Sequence, residues 1–391
     1  MIWTTSQSAS GLGGQAGIWG GIYVETGSVN IGAVTGNLIG SGTGTGSISV
    51  TTFGNGGTAF GIAAEGAGVR TIANNTIGSL TVNGTTTGVT ASLTGILVTT
   101  GANLISNNLV GSATTANSLH AATASTSGPG QQVTGIHSSS SGGANITGNT
   151  TANLTNNYVG TATGGQVRGL VASDGPNTIT DNTVRNLSTT SATAGTGTQS
   201  SVLGLLQTSA TAGQTVARNT VHSLANSAGS ADVVVMGIYV AGPTSGSNSV
   251  ARNLIHSLAA SSTSASSALN GIQFGAGTFT AQNNMVRLGI KADGTSTTGA
   301  AIVRGIFDPN PTAGRDFYHN SVYVGGTQTA GVANTFAFQS SAPTGARAFQ
   351  NNIFANARSN NGGTGNHYAA SYGGASANPA GLTADGNLFY F

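Results

Sequence analysis

Acid and base chemistry in this chain has few residues to draw on: nine Asp and Glu, eleven Lys and Arg and six His in 391 residues. The densest group is FDPNPTAGRDFYHN at 307–320, which holds Asp308, Arg315, Asp316 and His319. Carboxylates near a base suit two reactions. A pair can flank a glycosidic bond, one protonating the leaving oxygen while the other attacks or activates water. Alternatively, carboxylates hold Ca²⁺ beside a basic group that takes a proton. The plainer reading is favoured: a loop at the rim of the fold whose charges pair with one another in solvent, which contributes little. Asp174 and Asp181 in VASDGPNTITDN make a second pair, but there DGPN reads as a turn.

A second pattern stands three residues after a recurring Asn. Those places hold Gly40, Gly78, Gly111 and Gly160, then Arg185, His222, His256, Arg287 and Tyr323. Stacked on one another, the last five form a stripe suited to an extended anionic polymer such as an extracellular polysaccharide or cell-surface glycan. Arg would pair with its carboxylates and Tyr would offer a stacking face. Arg218 and Arg252, each just before its Asn, are expected nearby across a bend. The competing reading is that long outward side chains keep a charge-poor surface soluble.

Other chemistries find little support. GSGTGTGS is followed by SISVTT rather than a helix, so it is no phosphate cradle. With no Cys and no third ligand beside His222 and His256, neither a metal nor any cofactor is expected. Lys291 is the only lysine, whereas nucleic-acid binding draws on clustered Lys and Arg.

The elements that must position these residues come from a repeat. VARNTVHSLANSAGSADVVVMGIYV (216–240) is followed 34 residues later by VARNLIHSLAASSTSASSALNGIQF (250–274). Two anchors recur along the chain. Gly followed by an aliphatic residue runs from Gly21-Ile22 to Gly305-Ile306 at intervals of 33 to 40, with degraded copies at further steps of 32 at Ala337-Phe338 and Ala369-Ala370. Asn with an apolar residue two places on occurs at Asn37, Asn75, Asn108, Asn157, Asn182, Asn219, Asn253, Asn284, Asn320, Asn352 and Asn387. Helical repeats of similar period need helix formers at i, i+3 and i+4; these units are strewn with Gly and β-branched residues instead.

Each unit therefore reads as a short strand (GIYV), a turn, a second strand (NSVA), a bend at Asn, a third strand (NLIHSL) and a polar loop. Three strands per turn make a triangular coil, and one coil cannot bury its own core without a near-copy above and below. The predicted fold is all-β: a right-handed parallel β-helix, or β-solenoid, of about eleven three-strand coils with an Asn ladder. The hand follows the general preference of parallel crossovers. Identical Asn side chains can hydrogen-bond from coil to coil, and Asn tolerates the left-handed backbone of a sharp bend. Eleven coils predict a rod roughly 50 Å long.

Composition agrees. Only 5% of residues are charged, against roughly 25% in an average domain, so Ser, Thr, Asn and Gly supply the polarity. The 63 Gly and 7 Pro lack a collagen period, and the regular apolar anchors argue against disorder. The chain reads as one solenoid over 1–391, Gly-rich and nearly uncharged over 1–160 and carrying most charges over 161–391. No run is long enough to span a membrane, and the first residues lack the pattern of a signal peptide. The pattern starts and stops without caps, so the chain is expected to be a piece of a longer one with flanking domains.

The C-terminal third, FYHNSVYVGGTQTAG through FAFQSSAPTGARAFQNNIFANARSNNGGTGNHYAASYGG to GLTADGNLFYF, resembles the repeat region of large secreted right-handed β-helix proteins of the pectin-lyase-like class. Such regions occur in cell-surface proteins of Bacteroidota. The resemblance implies export, a bacterial cell-surface or extracellular location and right-handed winding. It admits two functions: a non-enzymatic, adhesin-like scaffold, or a polysaccharide lyase or glycoside hydrolase with Asp308, Arg315, Asp316 and His319 as its first candidates. The signal peptide and C-terminal sorting domain typical of the class are missing from this sequence.

Overall fold

A computed structural model describes residues 17–309, 314–342, 345–373 and 380–391. Residues 310–313 of the 307–320 segment, and the first sixteen residues where the first coil begins, lie outside the described residues. Three parallel sheets run the length of the molecule, the first two of eleven strands each and the third of fourteen. The chain visits them in rotation, making a parallel β-solenoid of about ten turns. One representative coil consists of strands Val234–Val240, Ser249–Ala251 and Leu254–Ala260.

Strand formation follows from alternating β-branched and aliphatic residues whose inward members stack on their counterparts. The Gly-aliphatic anchor keeps register from end to end: Ile22 pairs with Ile62, and the row continues through Ile96, Ile136, Leu170, Leu205, Ile238, Ile272 and Ile306 to Phe338 and Ala370. The Gly itself is needed for close approach. A Cβ on Gly237 would lie 2.6 Å from the Gly271 carbonyl oxygen and 2.6 Å from Cγ2 of Ile255 on the third sheet. Toward the C-terminus the core becomes aromatic, with Phe317 and Phe349 stacked at 4.9 Å and Phe338 edge-on to Phe349 at 4.8 Å.

The Asn ladder is present. Each side-chain Nδ2 donates to Oδ1 of the next Asn, at 2.8 Å for Asn37 to Asn75 and 3.0 Å for Asn182 to Asn219. The same Oδ1 accepts the backbone N–H of the preceding Asn, as between Asn182 and Asn219 at 3.1 Å. The second Nδ2 hydrogen goes to a second-sheet carbonyl, for Asn219 that of Ile179 at 2.9 Å. Every hydrogen-bonding group of an interior amide is thus paired without water.

Two expectations about the ladder need correction. In the fourth coil its member is Asn149, bonded to Asn108 and Asn182, and not Asn157. Asn157 instead donates to the Ala122 carbonyl at 3.2 Å, and Val159, two residues on, is exposed. The inward residue two places after Asn149 is Thr151 rather than an aliphatic one, which hid this coil from the pattern. Moreover, the left-handed backbone belongs to the residue before the ladder Asn, in every coil from Asn75 onward. Asn74, Asn107, Asp181, Arg218, Arg252, Asn283, His319 and Asn351 have φ between 55° and 60° there.

A further interior column was not foreseen. Residues at or next to the start of successive second-sheet strands stand in register as Arg70, Asn103, Ala144, Asn177, Gln214, Asn248, Phe279, Arg315 and Arg347. Their polar members point into the corner and donate to loop carbonyls: Arg70 to Thr100, Glu65 and Gly66, and Asn177 to Asp174 and Gly175. Arginines are buried here because carbonyl oxygens of the tight corner need donors.

Candidate functional site

The third sheet carries the predicted stripe. Its strands Thr183–Thr189, Thr220–Asn226, Leu254–Ala260, Met285–Leu288 and Ser321–Val324 pair so that Arg185, His222, His256, Arg287 and Tyr323 occupy one continuous row. Inward Val184, Val221, Ile255, Val286 and Val322 precede them, so strand alternation turns the row outward. In the fourth coil the row passes through Ala152 and not Gly160, as the shift of the ladder to Asn149 requires. It continues beyond Tyr323 to Ala355 and exposed Tyr390, which the same spacing from Asn352 and Asn387 would have located.

His222 and His256 are stacked face to face, their ring centroids 4.7 Å apart and their planes within 5°. Each Nδ1 is 2.9 Å from the hydroxyl of the following serine, Ser223 or Ser257. Burial, reinforced by the neighbouring His256 and Arg185, brings the pKa of His222 down to about 4; burial and Arg287 lower that of His256. Both imidazoles are therefore neutral at pH 7, which relieves the repulsion expected within a row of cations. Parallel rings cannot aim two nitrogens at one ion, and among the described residues no group of three His, Asp or Glu could hold a metal. Arg185 donates across two coils to the Ala113 carbonyl, while Arg287 stands exposed.

One residue before the row's inward neighbours lies a second outward row, Thr183, Thr220, Leu254, Met285, Ser321 and Ile353. Leu254, Met285 and Ile353 are exposed and, with Tyr323, border an open groove of about 500 Å³. Neither row contains a carboxylate. These apolar residues, each directly after its ladder Asn, escaped the sequence reading although their spacing is regular.

Arg218 and Arg252 do not join the stripe. They occupy the corner between the second and third sheets, where Arg218 grips Asp181 of the coil below through two bonds of 2.7 and 2.8 Å. Asp174 accepts the Gly175 N–H at 2.8 Å in its own turn, at the other end of the strand from Asp181.

The 307–320 cluster is divided by the wall of the solenoid. Asp308 and Arg315 are fully buried and joined by an ion pair, so they form neither a rim cluster nor a solvent-exposed pair. Asp308 ends the strand Ile302–Asp308 in the interior place that Val240 and Phe274 fill in earlier coils. Ser340 donates to its other oxygen at 3.3 Å, and Arg315 Nε donates to the Gly277 carbonyl at 3.1 Å. Burial raises the pKa of Asp308 against the opposing pull of Arg315, and burial lowers that of Arg315. Asp316 points the opposite way on the second sheet, accepting the Ala348 N–H at 3.2 Å, and His319 sits on the exposed left-handed corner. The four residues do not converge on one cleft.

No helix among the described residues is long and apolar enough to cross a membrane. Compared with known proteins, the chain matches no family model, no curated protein and no solved structure.

Proposed function

We propose that the chain is a non-enzymatic, adhesin-like scaffold: a rod of the pectin-lyase-like kind, wound right-handed, exported to a bacterial cell surface or beyond, and touching an extended anionic glycan along its third sheet. The observation that carries this reading is the in-register row Arg185, His222, His256, Arg287 and Tyr323 on a face without carboxylates. Polar side chains repeated at roughly 4.8 Å per coil, with a guanidinium at Arg185 and another three coils on at Arg287, suit a linear polymer better than a compact ligand. Length in a solenoid grows by adding coils, which suits projection from a surface.

The test is retention of neutral and anionic polysaccharides by the purified protein at low and high salt, with reducing and unsaturated ends measured in parallel. The proposal expects retention that falls with salt, is lost on Arg185→Gln with Arg287→Gln, and releases no new ends. Cleavage of any polymer would overturn the non-enzymatic reading in favour of a lyase or hydrolase. Absence of retention would overturn glycan binding.

A further inference from the structure

We infer that the groove beside Tyr323 is a stacking subsite for a single six-membered sugar ring bearing an anionic substituent, with Tyr323 as its platform and Arg287 as the partner of its charge. The inference rests on reading the third-sheet row as a ligand-binding face and says how one unit of the ligand is held.

The platform is built by a glycine. Gly325 directly follows the strand Ser321–Val324 that carries Tyr323, and the Tyr323 ring lies over it. A Cβ on Gly325 would fall 2.5 to 2.8 Å from Cε1, Cζ and the hydroxyl of Tyr323, so the ring leans along the strand into the space that Gly325 leaves empty. Gly325 is itself buried, although its φ is not in the left-handed region that would demand glycine, so the missing side chain serves the ring. The Tyr323 side chain stays 40% exposed and borders the groove. An aromatic ring held this way offers a stacking face at small entropic cost.

The groove's depth comes from small residues in register with large ones. Ser321 stands between Met285 and Ile353 in one outward row, and Ala355 follows Tyr323 in the other. The lining is mostly apolar, with hydrogen-bonding groups on Ser321, His256 and Arg287. Arg287 is adjacent to Tyr323 in the row and belongs to neither of the two ion pairs found among the described residues. A pyranose matches this division, since its axial C–H groups pack on an aromatic face while its hydroxyls and charge project sideways. A single aromatic wall and an open mouth suit one ring of a passing polymer better than an enclosed hydrocarbon tail.

The experiment is calorimetric titration of the intact chain with three probes, oligoglucuronate, dextran sulfate and neutral dextran, against wild type, Tyr323→Ala, Gly325→Ala, Arg287→Gln and Arg185→Gln. Tyr323→Ala is expected to weaken an anionic probe about tenfold, the scale of one aromatic contact. Gly325→Ala is expected to weaken it comparably by lifting the ring, with an unfolding midpoint close to wild type, although Gly325 presents no side chain to a ligand. Loss on Arg287→Gln is expected for anionic probes alone. Binding of oligoglucuronate but not dextran sulfate assigns the substituent as carboxylate; binding of both assigns a general anion site. If the arginine variants lose binding while Tyr323→Ala and Gly325→Ala bind as wild type does, the stacking subsite is overturned and the charged row survives. If wild type binds none of the probes, the charged-row reading falls with it.

Discussion

Replacing Asn219 by Ala tests the ladder at its most enclosed point. The side chain makes four hydrogen bonds: Oδ1 accepts the Asn182 backbone N–H at 3.1 Å and its Nδ2 at 3.0 Å, and Nδ2 donates to the Ile179 carbonyl at 2.9 Å and to Asn253 Oδ1 at 3.0 Å. Asn253 Oδ1 keeps a second donor, the Asn219 backbone N–H at 3.0 Å, and Asn182 Nδ2 keeps the Ile146 carbonyl at 2.9 Å, so truncation strips the Asn182 backbone N–H of its partner, frees one Nδ2 hydrogen and takes a donor from the Ile179 carbonyl. A buried polar group left unpaired costs about 1–3 kcal/mol. For the two unpaired hydrogens the sum is roughly 2–6 kcal/mol, the lower end applying where water enters the vacated space. Asn157→Ala is the control, since it removes one bond of 3.2 Å from a half-buried side chain and is expected to cost under about 1 kcal/mol. Urea unfolding followed by circular dichroism measures both. Because a solenoid need not unfold in one step, hydrogen exchange at the Asn182 amide serves as the local readout. Equal effects of the two substitutions, or an Asn182 amide as protected as in wild type, would refute the ladder as a stabilising column.

Three further outcomes follow from the same contacts. His222 and His256 have folded pKa values below the unfolded value near 6.5, so below that pH the unfolded chain binds more protons. Stability is therefore expected to be level above about 6.5 and to fall as pH drops toward 4, with a shallower fall in the His222→Gln, His256→Gln double variant; a pH scan of the urea midpoint checks this. Asp308→Ala leaves Arg315 and the nearby Arg347 buried without their carboxylate and is expected to cost about 3–5 kcal/mol, read by chemical denaturation. Gly237→Ala drives a Cβ into the Gly271 carbonyl and Ile255 and is expected to cost about 1–3 kcal/mol or more in the same assay, whereas Gly229→Ala, with nothing within 4 Å of the added carbon, should leave the midpoint nearly unchanged.

The architecture was legible because both anchors answer to one physical demand each. Gly marks a place with no room for a side chain, and Asn is an uncharged residue able to accept and donate two bonds apiece in a dry column. Asn149 escaped because the ladder needs only the Asn; the aliphatic companion used to find it is replaceable by Thr151, whose methyl packs inward much as a valine does. The corner column of Arg70, Asn177, Gln214 and Arg315 was illegible for a related reason. Its members share a task, donating to loop carbonyls, which Asn, Gln and Arg all perform, so no residue type repeats. Asp308 misled because an acid flanked by Pro reads as surface, and charged residues are rarely buried without a partner. Its partner Arg315 lies seven residues away across residues that carry no sign of which side of the wall they line.

Inside and outside are coupled by the same register. The ladder bonds tie Asn182, Asn219, Asn253 and Asn284 together one coil at a time, so each residue three places on is delivered to the same height on the outer face. The parallel rings of His222 and His256 are the outward image of the amide contact between Asn219 and Asn253, with one inward Val or Ile holding the intervening turn of strand. A slip of one residue in a strand would turn its outward side chain into the core, which the buried valines oppose at every coil. A surface row of sparse charges can therefore be kept straight without any contact among its own members. The limit lies in the early coils, where Gly40 and Gly111 have φ of 81° and 96° and a Cβ would fall within 2 Å of a carbonyl oxygen of the next coil, so the row can carry long side chains only where the strand stays extended, as from Arg185 to Tyr323.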